Sequence, residues 1–349
     1  MTKRVLITGG AGFIGHHIID LFMAQTDWEI VTLDRLDYSG NLNRLNDVIA
    51  KYPQVEQKRV KVVWHDLKAE IRELNANFIG KIDTVLHLAA SSHVDRSISN
   101  PMEFLLDNTM GTVNLLEYAR RLDGLERLIY FSTDEIFGAA PPGVLYKEYD
   151  RYNSTNPYSA SKAAAEEFCV AYENTYKLPI FVTHTMNVFG ERQHPEKFIP
   201  MCIRKIRDNE KIFIHSDPTK TQAGSRFYIS AKDVAESMYF LLNMKSTHHD
   251  IIKAEMNSLG VRCPKFNIVG KEEIDNLSMV NILAKAQNKA PIYEMVDFHT
   301  SRPGHDLRYS LDGSFMKRLG WEPRISLEQR LHQLVKWSLI HNEWIESNV

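Results

Sequence analysis

The sequence predicts an α/β fold, a doubly wound parallel sheet followed by a smaller α+β domain. Three observations carry this. Short apolar runs alternate with helix-periodic segments through the first half, a glycine cluster marks the first strand-to-helix turn, and the alternation gives way after about residue 190 to proline-punctuated segments. Alternating strands and helices favour parallel pairing, because a crossover helix is what returns each strand to the same direction.

The elements follow in order. Val5–Thr8 is a continuous apolar run, as a strand buried on both faces requires. A helix opens at Gly12 and places Ile14, Ile18, Ile19 and Phe22 on one face. Ile30–Leu33 reads as the second strand and ends at Asp34. Further strands are expected at Val60–Trp64, Thr84–Leu88, Leu128–Ser132 and Ile180–Thr183, with helices near Pro101–Arg120 and Tyr158–Tyr176. Beyond them, prolines at 195, 200, 218, 264, 291, 303 and 323 break the pattern. We therefore expect one domain over 1–190 and a second over 191–349. Phe227–Leu242 reads as a strand and helix returning to the first domain. His248-His249 reads as solvated loop in a polar linker, not as a metal ligand.

Composition narrows the function. The 349 residues are 44% hydrophobic and 25% charged, ample for a core, and the net charge of −2 leaves no basic footprint for nucleic acid or a membrane surface. Cys169, Cys202 and Cys263 are far apart and odd in number, which fits a reducing compartment and neither a disulfide framework nor a metal site. Before the glycine cluster the chain has only Val5-Leu6-Ile7 as an apolar stretch, too short for a signal peptide, and no run reaches the roughly 18 residues of a membrane helix. The expectation is a cytoplasmic protein.

Gly9, Gly12 and Gly15 lie in Thr8-Gly9-Gly10-Ala11-Gly12-Phe13-Ile14-Gly15, just after a strand and opening a helix. Glycines permit a tight turn and let a pyrophosphate approach backbone N–H groups at the helix's positive end. Asp34 ends the next strand, where a carboxylate bonds both ribose hydroxyls and repels a 2′-phosphate. This favours NAD over NADP, although the neighbouring Arg35 pulls the other way.

Tyr158 and Lys162 stand one helical turn apart in Tyr158-Ser159-Ala160-Ser161-Lys162. A phenol titrates near 10, so a neighbouring ammonium together with the positive charge of a nicotinamide is expected to lower it toward use as a base. That spacing recurs by chance, but Thr133-Asp134-Glu135 follows the apolar run ending at Ser132, at the edge where doubly wound sheets hold ligands. Two adjacent carboxyls there are costly unless used or solvated.

Together the glycine turn, Asp34, the Tyr-x-x-x-Lys pair and the order of elements resemble the extended short-chain dehydrogenase/reductase superfamily, with its Rossmann-like fold. Thr133-Asp134-Glu135, His93-Val94-Asp95-Arg96-Ser97, Pro195-Glu196-Lys197 and Arg302-Pro303-Gly304-His305-Asp306 resemble motifs of its dTDP-glucose 4,6-dehydratases. The likeness spans essentially the whole chain. It implies oxidation at C4 of a nucleotide-bound glucose with Tyr158 as base, Thr133 on the same oxygen and Lys162 holding the tyrosine ionised. Glu135 would then take the C5 proton and a protonated Asp134 the leaving C6 hydroxyl, before reduction at C6. The resemblance implies NAD contacts from Phe13, Ile14, Asp34, Arg35, Leu36, Asp37, Asp66, Leu67, Leu88, Ala89, Ala90, Ser92 and Asn187, besides the glycines, Tyr158 and Lys162. It implies substrate contacts from His93, Thr133, Asn187, Glu196, Lys197, Phe198, Arg226, Asn267, Arg302 and His305.

Departures from the family pattern cluster in the nucleotide-binding part: Phe213-Ile214-His215 for Pro-Ile-Tyr and Arg226-Phe227-Tyr228 for Arg-Asp-Trp, besides Ser91 for Glu or Gln and a longer 246–263 segment. Thymine, uracil and other bases all stay open. The resemblance also implies a homodimer, with the helices near Asp107–Arg120 and Tyr158–Tyr176 packing across the two-fold. A 4-epimerase or decarboxylase of nucleotide sugars, and a non-catalytic NAD-binding protein, remain the alternatives.

Overall fold

A computed structural model describes residues 2–37, 39–297 and 308–346. Its strands are, in chain order, β1 (Arg4–Thr8), β2 (Glu29–Asp34), β3 (Val60–Trp64), β4 (Thr84–His87), β5 (Arg127–Thr133), β6 (Ile180–Thr185), β7 (Val188–Phe189), β8 (Lys211–Ser216), β9 (Ser225–Phe227), β10 (Ile229–Ser230), β11 (Lys265–Ile268), β12 (Glu273–Asp275) and β13 (Ile292–Asp297). Seven of them form one parallel sheet in the order β11-β6-β5-β4-β1-β2-β3. The chain winds outward from β1 to β3, then restarts at β4 on the other side of β1. The crevice between the carboxyl ends of β1 and β4 is therefore the switch point, where such sheets bind ligands.

Each face of the sheet carries its own apolar layer. One joins Val5, Ile7, Ile30 and Ile129 to Ile18, Ile19 and Phe22 of the first helix, Phe13–Gln25. The other joins Leu6, Val31, Val85 and Tyr130 to Leu115, Leu116 and Ala165. Helix Ala231–Leu242 returns to the first face, where Val234, Ala235 and Met238 join the same cluster and Tyr239 meets Phe22 and Trp28. A third cluster, around Ile199, Ile203, Ile212, Met279, Leu283 and Leu331, forms the smaller lobe.

Three local findings differ from the sequence reading. β11 lies far beyond residue 190 yet closes the main sheet beside β6. Four residues after a proline, two of them polar, give no apolar run to detect. His248 and His249 belong to a helix, Ser246–Leu259, not a loop, and the His248 ring caps its start by accepting from Lys245 N–H at 2.9 Å. The helical run over 101–119 contains a π-helical turn, Leu105–Met110, which turns Asp107 and Asn108 inward. Among the described residues no helix is long and apolar enough to cross a membrane.

Candidate active site

One cleft of about 850 Å³ runs over the switch point and onto the smaller lobe. Its floor begins at the glycine turn. Gly9 adopts φ +73°, and a Cβ there would sit 2.9 Å from the Ala89 nitrogen. A Cβ on Gly15 would sit 2.4 Å from the Gly9 carbonyl oxygen, so only glycine lets the helix start this close to the turn. Gly12 caps that helix without any side-chain bond, and no acid lies in its first turn. Its leading N–H donors are left for an anion, as a dinucleotide pyrophosphate requires.

Asp34 ends β2 at the cleft wall. Its Oδ1 accepts from Leu36 N–H at 2.9 Å and its Oδ2 from Ala11 N–H at 3.1 Å, leaving lone pairs for a diol. Burial raises its pKa, against those two hydrogen bonds. Phe13, Ile14, Arg35, Asp37, Asp66, Leu67 and the Leu88–Ser92 segment line the same half of the cleft. These residues fit a dinucleotide.

At the other half, β5 delivers Thr133, Asp134 and Glu135, and helix Pro157–Tyr176 delivers Tyr158 and Lys162; all five line the cleft. Thr133 Oγ1 donates to Asp134 Oδ1 at 3.1 Å and is hydrogen-bonded with Tyr158. Asp134 Oδ2 is buried with no hydrogen-bond partner among the described residues, a carboxyl oxygen held ready for a ligand. Asn156 Nδ2 donates to Glu135 Oε2 at 3.2 Å. The same Asn156 caps the helix: its Oδ1 accepts from Ser159 N–H at 2.9 Å, with Pro157 at the first helical position. The helix start and the Glu135 carboxylate are thus fixed by one side chain.

Burial dominates the electrostatics of this half of the cleft. Burial pushes Asp134 up to about 6; burial and the Asp134 charge push Glu135 up to about 7. The pair therefore carries about one proton near neutrality. Burial, then the Glu135 charge, also pushes the Tyr158 phenol up, not down. Lys162 does not oppose this, because its ammonium donates to the Phe131 carbonyl at 2.5 Å and lies 4.3 Å from the Tyr130 ring centroid. Burial lowers Lys162 itself to about 8. The phenol and the ammonium line the same cleft, and burial keeps the phenol protonated.

Behind the Tyr158 helix lies a buried ionic group that the sequence reading missed. Glu166, one turn beyond Lys162, accepts from Lys265 at 2.9 Å, from His184 Nε2 at 3.1 Å and from the Tyr152 hydroxyl. Burial raises its carboxyl, but His184 and Lys265 outweigh that and hold it far below the usual range. Asn267 belongs here. Its Oδ1 lies 2.8 Å from His184 Nδ1, and its Nδ2 donates to the Tyr146 and Asp312 carbonyls at 3.0 Å each. It is fully buried and does not line the cleft, which corrects its expected place on the substrate. Leu36 packs its side chain partly on the core near the first helix and gives its backbone N–H to Asp34.

His93, Asn187, Glu196, Lys197, Phe198 and Arg226 line the cleft as expected. The His93 Nδ1 is buried without a partner among the described residues, and burial, then Lys197, lowers its pKa. Asn187 sits at φ +26°, a strained turn between β6 and β7. Arg226 lies on β9 with its guanidinium 5.0 Å from the Tyr309 ring centroid. Lys205, Phe213 and His215 form the far wall on the smaller lobe. Arg302 and His305 lie outside the described residues. Asn156, Asp107, Arg44 and Glu166 were not singled out from sequence. Asn156 alone had a local signal, an Asn-Pro step before a helical pattern.

Comparison with known proteins places this geometry. dTDP-glucose 4,6-dehydratase of Neisseria gonorrhoeae is 34% identical, over 97% of this chain and 96% of that protein. The mouse dTDP-D-glucose 4,6-dehydratase is 34% identical over 96% of this chain and 88% of its own length. A trifunctional UDP-glucose 4,6-dehydratase of Arabidopsis thaliana is 34% identical over 98% of this chain but 48% of its own length, so the chain spans about half of that relative. Among solved structures, a dTDP-glucose 4,6-dehydratase from Streptomyces venezuelae with NAD bound superposes with a TM-score of 0.82 at 32% identity, covering 99% of each chain. A UDP-glucose 4-epimerase from Thermus thermophilus gives 0.78 at 27% identity, covering 96% of this chain. The family model described as GDP-mannose 4,6 dehydratase matches residues 6–334, and the chain belongs to that family.

Proposed function

We propose that the protein is an NAD-dependent nucleotide-sugar 4,6-dehydratase, a hydro-lyase acting on dTDP- or UDP-glucose. The observation that carries this reading is the adjacent carboxyl pair, buried Asp134 and half-buried Glu135, both raised in pKa, in one cleft with Tyr158 and Lys162. A 4-epimerase has no use for two adjacent acids at this depth, since it moves no group at C5 or C6.

Bound NAD supplies a reversible two-electron oxidation. Tyr158 accepts the proton of the C4 hydroxyl, and Thr133 bonds the same oxygen. Lys162 gains a second role beside its Phe131 bond, stabilising the phenolate once it forms. The 4-ketone acidifies the C5–H, which Glu135 removes while the Asn156 amide holds its other face. Asp134 delivers its proton to the departing C6 hydroxyl and water leaves; C6 then takes back the hydride removed from C4 while Glu135 returns its proton to C5, which closes the redox balance on the 4-keto-6-deoxy sugar. Substrate binding thus selects which member of the pair holds the shared proton. Lys197 and Arg226 are assigned to the diphosphate, where charge-assisted bonds to phosphate oxygens are strongest. Arg302 and His305 share that assignment by motif.

A turnover panel of dTDP-, UDP-, CDP- and GDP-glucose with UDP-N-acetylglucosamine tests the reading. A 4-keto-6-deoxy product, seen by its alkaline ultraviolet absorbance, is expected from at least one of the first two. Interconversion of the C4 epimers without that product would establish the epimerase instead.

The reading includes a homodimer in the cytoplasm. Leu105, Leu106, Met110, Phe168 and Tyr176 are exposed apolar side chains on the two helices named for the two-fold, and covering such a surface favours association. The three free cysteines are all buried, as suits a reducing compartment. Light scattering at micromolar concentration is expected to give twice the chain mass; a monomer mass would refute the dimer.

A further inference from the structure

Arg35 follows Asp34, the position from which an arginine accommodates the 2′-phosphate of NADP in dinucleotide folds of this kind. Its guanidinium is not available to do so. Nη1 and Nη2 donate to the two oxygens of Asp107 at 2.7 and 2.9 Å, and Nε donates to Asp37 at 2.7 Å. Asp66 stands a further 3.9 Å from Nη1. The backbone is pinned as well, since the Trp64 indole N–H donates to the Arg35 carbonyl at 3.0 Å.

Asp107 is a rigid anchor. Its side chain is 3% exposed, it sits in the π-helical turn, and its Oδ2 also accepts from the Ser91 hydroxyl at 2.6 Å. Burial pushes its carboxyl up, but the bonds from Arg35 and Ser91 outweigh that and hold it below the usual range. The other cations at this end of the cleft are committed too. Arg44 is buried and donates to the Arg192, Ala11 and Ser39 carbonyls, and Lys68 lies 3.4 Å from Asp66 and 3.7 Å from Asp107.

We propose that Asp107 is a specificity residue for the dinucleotide: by taking up the planar fork of Arg35 from the far side of the crevice, it withholds that guanidinium from a 2′-phosphate. Asp34 repels the extra phosphate directly; Asp107 acts through Arg35 by removing its counter-ion. The arrangement resolves the conflict between neighbouring Asp34 and Arg35 in favour of NAD. This inference rests on the dinucleotide reading of the cleft.

Calorimetric titration of the ligand-free protein with NADH and NADPH tests it. Asp107→Asn keeps the size and the acceptor for Ser91 but loses the charge that holds Arg35. The ratio of NADPH to NADH affinity is expected to rise about tenfold, the worth of one charge-assisted hydrogen bond. In Asp107→Asn/Arg35→Ala that gain is expected to vanish, because Arg35 carries it. A ratio unchanged in the single variant, or a gain that persists in the double one, overturns the proposal. Should Asp107→Asn fail to fold, the double variant, which removes both charges of the pair together, is read alone: its ratio is expected to match wild type, and a ratio below wild type, showing that Arg35 already served the 2′-phosphate, overturns the proposal. Wild type binding neither dinucleotide refutes the NAD reading and this inference with it. Tight NADH binding with an unchanged ratio refutes this inference alone.

Discussion

Glu135→Gln is expected to bind NAD and the nucleotide sugar but to lose 4-keto-6-deoxy product by about 10²–10⁴-fold, the usual contribution of a positioned general base. The amide keeps the bond to Asn156 but cannot take a proton from C5. Rapid-quench analysis should show the oxidised cofactor partly reduced and trapped, since oxidation at C4 does not need Glu135. The pH dependence has a matching sign. Glu135 must be ionised, and burial with the Asp134 charge places it at about 7, so wild-type kcat/KM falls as pH drops below that. Lys162 must be an ammonium, and burial places it at about 8, so the rate falls again above it. Ionising Glu135 in the fold also costs stability, because its folded pKa lies above that of an unfolded carboxyl. The cost is absent below the unfolded value and complete above about pH 7. Glu135→Gln should therefore melt higher than wild type at pH 8, by about 1–3 kcal/mol at most. Wild-type turnover in this variant would remove Glu135 from the mechanism.

Tyr158→Phe is expected to abolish the preceding step as well, with a loss of about 10³-fold or more in kcat. Here the cofactor should remain oxidised in the presence of substrate, which separates this variant from Glu135→Gln. The phenol's raised pKa sharpens the expectation. Burial and the Glu135 charge disfavour the phenolate in the ligand-free chain, so its ionisation must be driven by ligands entering the cleft. Binding of NAD should lower the pH at which Tyr158 absorbs as phenolate, measurable by difference spectroscopy. A phenolate signal unaffected by NAD would contradict the assignment.

The glycine turn, Asp34, Thr133-Asp134-Glu135 and the Tyr158–Lys162 pair were legible because each is a local motif whose spacing already encodes its geometry. The strands β1 to β6 were legible for the same reason, as buried parallel strands read as plain apolar runs. What was not legible depends on groups brought together from far along the chain. Asp107 meets Arg35 across 72 residues, and Glu166 meets Lys265 across 99. No spacing rule links such pairs. Asn267 was misplaced because an asparagine near a binding lobe reads as a ligand contact, whereas its two amide ends are bound within the core. The Tyr158 shift was expected with a nicotinamide's charge beside the phenol; in the chain by itself burial and the Glu135 charge raise it, a balance of burial that no local spacing reveals.

The position of β11 bears on how the chain reaches this form. The strand beside β6 arrives only after the first segments of the outer lobe, Ile199 to Ile212 among them, and it brings Lys265, the counter-charge of Glu166 on the helix that carries Tyr158. A nascent chain that has emerged only to residue 190 holds a sheet with one bare flank and a buried carboxylate lacking Lys265, one of its three partners. Nucleotide grip and chemical competence should therefore mature together and late, as one cooperative event, so that no half-built intermediate can oxidise a sugar without finishing the job.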